Sequence, residues 1–158
     1  MNVLVTFYCL NGETEKLALA AGLGAVQGRA AIRFRRLRPE PGESAVDERL
    51  DQDYVAPKEA DARWADAIIL GTPSRLAISS PALNEYFGML TSAGVSGKTC
   101  AVLLSNRSVV AGALETLHGA MSALGLKMVA PDLCAVDSAD DARLLGRRIA
   151  ETSASSTA

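Results

Sequence analysis

The chain has 158 residues, of which 49% are hydrophobic and 22% charged, and its formal net charge is −2. This is the size and composition of one globular domain with a sizeable core. The charge gives no general attraction to nucleic acid or to an anionic membrane, no apolar run is long enough to span a bilayer, and Cys9, Cys100 and Cys134 lack metal-ligand spacing.

Val3-Leu4-Val5-Thr6-Phe7 is a short, uncharged, β-prone run that predicts a first strand. The residues Cys9-Leu10-Asn11-Gly12-Glu13-Thr14 read as a turn, and the Ala/Leu-rich stretch from Glu15 to Val26 as a helix. A strand, a Gly-containing turn, a hydroxyl residue and a helix together present backbone N–H groups and a helix N-terminus to a phosphate. From Ala31 to Leu37 the pattern has a period of two, with Ile32 and Phe34 on one face and Arg33 and Arg35 on the other, as expected of an edge strand. Residues 38–58, with Pro39, Pro41 and Gly42, read as a loop, and Pro57 to Trp64 as a short helix.

Ala67 to Leu70 has the compact apolar form of a central parallel strand and leads into a second polar loop beginning Gly71-Thr72-Pro73. Pro81 to Leu90 reads as a helix with Ser79 or Ser80 as its cap. Cys100 to Leu104 is expected to form a buried strand, Val110 to Leu124 a helix ended by Gly125, and Lys127 to Ala130 a short last strand. Ala139 to Glu151, capped by Ser138, closes the series, leaving 152–158 as a disordered tail and 1–151 as the single domain. Alternating strands and helices imply an α/β/α sandwich around a five-stranded parallel sheet. Right-handed crossovers make the strand order 2-1-3-4-5, with a ligand crevice at the carboxyl ends of the strands, where the loops after strands one, three and four meet.

These loops also carry a resemblance. Val3-Leu4-Val5 with the Cys9–Thr14 turn, and Ala65-Asp66-Ala67-Ile68-Ile69-Leu70-Gly71-Thr72-Pro73-Ser74-Arg75, resemble the flavodoxin-like FMN proteins. The nearest likeness is to the tryptophan-repressor-binding-protein type of NAD(P)H:quinone oxidoreductase. The resemblance implies a flavodoxin-like fold and non-covalent FMN. The phosphate would be held by Cys9, Leu10, Asn11, Gly12, Glu13 and Thr14, and the ring flanked by Thr72, Pro73, Ser74, Arg75, Leu76, Ser105, Asn106 and Arg107. It further implies NAD(P)H as electron donor, a quinone or similar small-molecule acceptor, and a homodimer or homotetramer; the cysteine usage separately leads to the expectation of a reduced, cytoplasmic protein.

Departures from the family pattern are visible in the same loops. Cys9 stands where a hydroxyl is usual, Glu13 borders the phosphate position, Leu76-Ala77-Ile78 replace an aromatic, Gly and Asn, and the third loop has no glycine before Gly112. Two other readings therefore stay open: an electron-carrier flavodoxin without its own substrate, and a flavodoxin-like binding module that has lost FMN. No side chain stands out as a catalytic acid or base, and His118 reads as a partly exposed helix residue.

Three further features have structural readings. Ser92-Ala93-Gly94-Val95-Ser96-Gly97-Lys98-Thr99 approximates a phosphate-binding Walker loop but follows a helix and opens a strand, the reverse of what that loop needs, so it reads as a turn. Arg29, Arg33, Arg35, Arg36 and Arg38 read as solvated charges guarding a sheet edge, in preference to a landing site for the 2′-phosphate of NADPH or an acidic partner. Trp64 is expected to pack on the sheet.

Overall fold

The computed structural model describes residues 1–8, 13–38, 53–73, 80–104, 112–129 and 138–156. The elements are β1 (Asn2–Tyr8), α1 (Glu13–Gln27), β2 (Ala31–Leu37), α2 (Glu59–Trp64), β3 (Ala67–Thr72), α3 (Pro81–Ala93), β4 (Thr99–Leu104), α4 (Ala113–Ala123), β5 (Lys127–Met128) and α5 (Ala139–Ser156). The strands form one sheet in the order β2-β1-β3-β4-β5, and every pairing is parallel. This is the expected fold class and topology.

The three central strands are apolar because both faces are covered. Side chains alternate across them. Val3, Val5, Phe7, Ala67, Ile69, Ala101 and Leu103 meet the alanine-rich faces of α1 and α5, while Leu4, Tyr8, Ile68, Leu70, Cys100, Val102 and Leu104 meet α2, α3 and α4. On the first face, α1 and α5 cross at very short range. A methyl added at Gly146 would lie 1.8 Å from the Ala21 carbonyl oxygen, and one added at Gly24 would lie 1.9 Å from that of Arg143. On the second face, the Tyr86 hydroxyl donates to Thr6 Oγ1 at 2.9 Å, which satisfies two polar groups inside an apolar layer.

Local signals set the helix ends. Ser80 caps α3, its Oγ accepting from Leu83 N, and Pro81 follows at the first helical position. Gly94 at φ 73° ends the same helix. Ser138 Oγ accepts from Asp141 N at the start of α5.

Several boundaries differ from expectation. The α1 helix begins at Glu13, so Glu13 and Thr14 are first-turn residues and not part of the turn. Gly71 and Thr72 belong to β3, because β4 continues the ladder through Leu103 and Leu104. Gly112, at φ 83°, is the N-cap of α4 and not an interior residue. The short helix begins at Glu59, not Pro57. The α5 helix runs on to Ser156, so residues 152–156, read from the sequence as tail, are helical; extending an existing helix adds one bond per residue, and no Gly or Pro interrupts the stretch.

The arginine run is also corrected. The β2 strand is an edge strand, but its charges are not simply solvated. Arg35 grips the Asp61 carboxylate through Nε and Nη2, at 2.9 and 3.0 Å, and Arg33 adds a contact at 3.2 Å while stacking over Trp64, 4.1 Å from the ring centroid. Asp61 also accepts from Lys58 N at 3.0 Å. Arg36 is buried on the opposite face.

The Walker-like segment is the helix–strand turn expected. Lys98 reaches back from it, and its ammonium donates to the carbonyls of Ala62, Arg63 and Ala65 at 2.7, 3.1 and 2.6 Å, capping the C-terminal end of α2. His118 is half-exposed, and Cys100 is a buried thiol whose Sγ lies 3.1 Å from Met128 Sδ.

Candidate functional site

The crevice at the carboxyl edge follows from where the chain leaves each strand. From β1 the chain passes to α1, on the face carrying Val5 and Phe7; from β3 it passes to α3, on the face carrying Ile68 and Leu70. Because β1 and β3 are neighbours, the two exits diverge between adjacent strands and open a gap at their ends.

The N-terminus of α1 points into this gap. A 15-residue helix brings a positive field to its first turn. Gly71 allows that turn to sit against β3. An added methyl there would lie 3.2 Å from Thr14 Cγ2 and 3.4 Å from Phe7 Cβ, so a bare Cα is what admits Thr14. Thr14 is buried at the base of the turn, and Thr72, which follows Gly71 and ends β3, is buried as well, its hydroxyl donating to Pro73 O at 3.2 Å. Pro73 is half-buried at the rim.

Of the site residues expected from the sequence, Glu13, Thr14, Thr72 and Pro73 are placed at this edge. Cys9, Leu10, Asn11, Gly12, Ser74, Arg75, Leu76, Ser105, Asn106 and Arg107 lie outside the described residues, as does Cys134. The described donors fit a phosphate-bearing cofactor: a helix N-terminus, a first-turn threonine and a glycine-relieved approach to the neighbouring strand converge on one spot. Glu13 does not oppose such a group from within, because it is exposed.

Two buried charges at this corner were not singled out as site residues in the sequence, although its periodicity contains both. Glu15 lies in the first turn of α1 on the same helical face as buried Ala18, Gly22 and Ala25. Arg36 continues the period-two series Ile32, Phe34 onto the face that meets α1. Tyr54 packs at the same corner, its ring edge-on to Phe7 with centroids 5.0 Å apart.

A second concavity, of about 330 Å³, opens between the end of β2 and α3, floored by Leu37, Ala82 and Tyr86 and edged by Arg38 and Glu85. Among the described residues there is no cluster of metal-ligating side chains, and no helix is long and apolar enough to cross a membrane.

The geometry agrees with what the chain resembles. No protein-family model matches it. It is 32% identical over 142 residues to a protein of Archaeoglobus fulgidus named NAD(P)H dehydrogenase (quinone), a match covering 82% of this chain and 70% of that protein. Proteins of the same name from Paracoccus denitrificans and Brucella anthropi are 31% and 29% identical, and the matches span 66% and 60% of their lengths. Among solved structures, an archaeal flavodoxin superposes with a TM-score of 0.73 at 17% identity, covering 98% of this chain and 99% of that one. A WrbA-like flavodoxin protein from Agrobacterium tumefaciens gives 0.67 at 20% identity, covering 98% of each. With a flavodoxin fold and this level of identity across most of its length, the chain belongs to the NAD(P)H dehydrogenase (quinone) family.

Proposed function

We propose that the chain binds FMN non-covalently at the carboxyl edge of its sheet and passes electrons from NAD(P)H to a quinone or a similar small acceptor. The observation that carries this reading is the seating of the α1 N-terminus, through Thr14 on Gly71, at the gap between β1 and β3. The relatives' shared name supplies the donor and acceptor class.

Bound there, FMN would supply the redox chemistry that links a nicotinamide donor to the acceptor. The chain's part is binding and electrostatics. The α1 N-terminus, with Asn11, Gly12 and Thr14, would hold the phosphate through backbone N–H and hydroxyl donors, with Cys9, Leu10 and Glu13 bordering it. Thr72, Pro73, Ser74, Arg75, Leu76, Ser105, Asn106 and Arg107 would flank the ring. No protein acid or base is required, since hydride transfer to a flavin needs none. The same reading includes a homodimer or homotetramer, on the strength of the family resemblance, and a cytoplasmic location, on the strength of the cysteine usage.

Titration of purified protein with FMN, followed by flavin fluorescence and visible absorbance, tests the site. Saturable quenching with a shifted flavin band is expected, followed by quinone-dependent oxidation of NADH or NADPH. Absence of binding at about 100 μM FMN, a free energy weaker than roughly −5.5 kcal/mol, refutes the reading.

A further inference from the structure

The sequence raises Glu13 as the carboxylate that opposes a phosphate, but the buried carboxylate of that turn is Glu15. It is 5% exposed, while Glu13 faces solvent. Arg36, at the carboxyl end of β2, is 2% exposed and among the largest fully buried side chains of the chain. Two buried charges in one small domain require partners, because an isolated one is expelled or neutralised.

Their positions point towards each other. Glu15 precedes Gly22 by seven residues, two helical turns, and so shares its face of α1. That face meets β2: a methyl added at Gly22 would lie 2.2 Å from Phe34 Cζ and 3.2 Å from Ile32 Cδ1. Arg36 stands two residues beyond Phe34 and therefore projects to the same side. In a parallel α/β sheet the helix runs back against its strand, so moving from Phe34 to Arg36 moves from Gly22 towards the first turn of α1. Phe7, in register with both Arg36 and Gly71, marks the level at which Thr14 sits.

We infer that Glu15 and Arg36 form a buried charge pair beneath the first turn of α1, and that Arg36 thereby cancels a carboxylate that otherwise competes with the cofactor phosphate for the positive end of the helix. The inference rests on the FMN reading for its second half only. Arg36 is a positioning residue here, acting on the phosphate site through Glu15. A carboxylate in the first turn is stabilised by the same helix field that holds an anion, so one left unpaired there repels the other. The segment arriving at this corner, with Tyr54 against Phe7 and Val55 O accepting from Arg36 N, closes it from the side.

The test compares FMN with riboflavin, which has the same ring and no phosphate, in the native protein and in Arg36→Met, Arg36→Lys, Glu15→Gln and the double variant Glu15→Gln/Arg36→Met. The expected result is that Arg36→Met weakens FMN by about tenfold, the scale of one uncancelled charge acting across a partly screened interior, and leaves riboflavin unchanged. The double variant restores FMN affinity because it removes the carboxylate charge, and Arg36→Lys retains it because a cation still faces Glu15. Equal loss of FMN and riboflavin affinity in Arg36→Met, or a double variant no better than it, overturns the role towards the phosphate.

Urea denaturation of the same apoproteins reads the pair by itself. Non-additive losses support it, and additive losses refute it. If the native protein binds neither flavin, the FMN reading and the role towards the phosphate both fail, while the denaturation cycle still decides the pair. If Arg36→Met does not fold, Arg36→Lys and Glu15→Gln decide: preserved FMN affinity in the first and preserved or tighter affinity in the second are expected, and a loss confined to FMN in either one refutes the inference.

Discussion

Replacing Gly146 by alanine tests the helix crossing that positions α1, and it sets two effects of opposite sign against each other. Helix propensity alone favours alanine over glycine by about 1 kcal/mol in a helix interior. The structure opposes it, since the new methyl carbon would lie 1.8 Å from the Ala21 carbonyl oxygen and 2.7 Å from its carbon. Both are backbone atoms, so no rotamer change relieves the contact. Relief requires α5 to move away from α1 and to loosen the packing of Ala142, Leu145 and Ile149 against the sheet. Overpacking of a tight core costs about 1–3 kcal/mol, and a backbone contact this short belongs at the top of that range, leaving a net loss of about 2 kcal/mol after the propensity gain. For a domain of this size that lowers Tm by about 4–8 °C. Gly88 in α3 and Gly119 in α4 are the controls, because a methyl at either meets no atom within 4 Å. Alanine at those two positions raises stability by about 0.5–1 kcal/mol. Thermal unfolding by circular dichroism distinguishes the cases; a Gly146→Ala variant that gains stability like the two controls refutes the close crossing.

Three other outcomes follow from the structure. Gly71→Ala brings a methyl to 3.2 Å from Thr14 Cγ2. Apoprotein stability is expected to shift by no more than about 1 kcal/mol, since the strain is offset by relief of glycine entropy in a strand, whereas FMN affinity, read by fluorescence, falls; unchanged affinity refutes the role of Gly71. Burial raises the Asp61 pKa, but hydrogen bonds from Arg35, the Lys58 amide and Arg33 outweigh it and hold the carboxyl below its ordinary 3.8. A depressed folded-state pKa contributes stability above the unfolded value and loses it as pH falls through the folded one. Asp61→Asn is therefore destabilised by about 1–3 kcal/mol at pH 7, and the gap to the native protein closes below the native pKa; a gap independent of pH in urea denaturation contradicts the assignment. Lys98→Met removes three contacts to the end of α2 and costs about 1–2 kcal/mol, with FMN affinity unaffected because Lys98 lies at the opposite edge of the sheet. A lower FMN affinity in that variant argues against the separation of the two edges.

The fold was legible because each strand is a short apolar run and each helix has its punctuation. Val3–Phe7, Ala67–Leu70 and Cys100–Leu104 are apolar because they are covered on both faces, and Ser80, Pro81 and Gly94 bracket α3 as local chemistry dictates. What escaped was decided by partners distant in sequence. Gly71 and Thr72 look like loop residues, yet pairing with β4 makes them strand. Arg33 and Arg35 look like charges for solvent, yet Asp61, presented by a helix more than twenty residues later, draws them in. Composition at residues 152–156 says nothing against a helix once α5 is nucleated upstream.

The site divides along the same line. Gly12 and Thr14, or Thr72 and Pro73, can be proposed from sequence spacing alone because phosphate binding draws on local backbone geometry. Glu15 and Arg36 cannot be, because their significance arises only when α1 is laid against β2. Each alone reads as a surface charge, one on a helix and one on an edge strand. Their burial at the corner where a phosphate would sit makes the electrostatic balance of the site a property of the packing between two elements. A substitution at Arg36, outside every recognisable motif, is therefore expected to affect FMN binding more selectively than an exposed substitution inside the motif at Glu13.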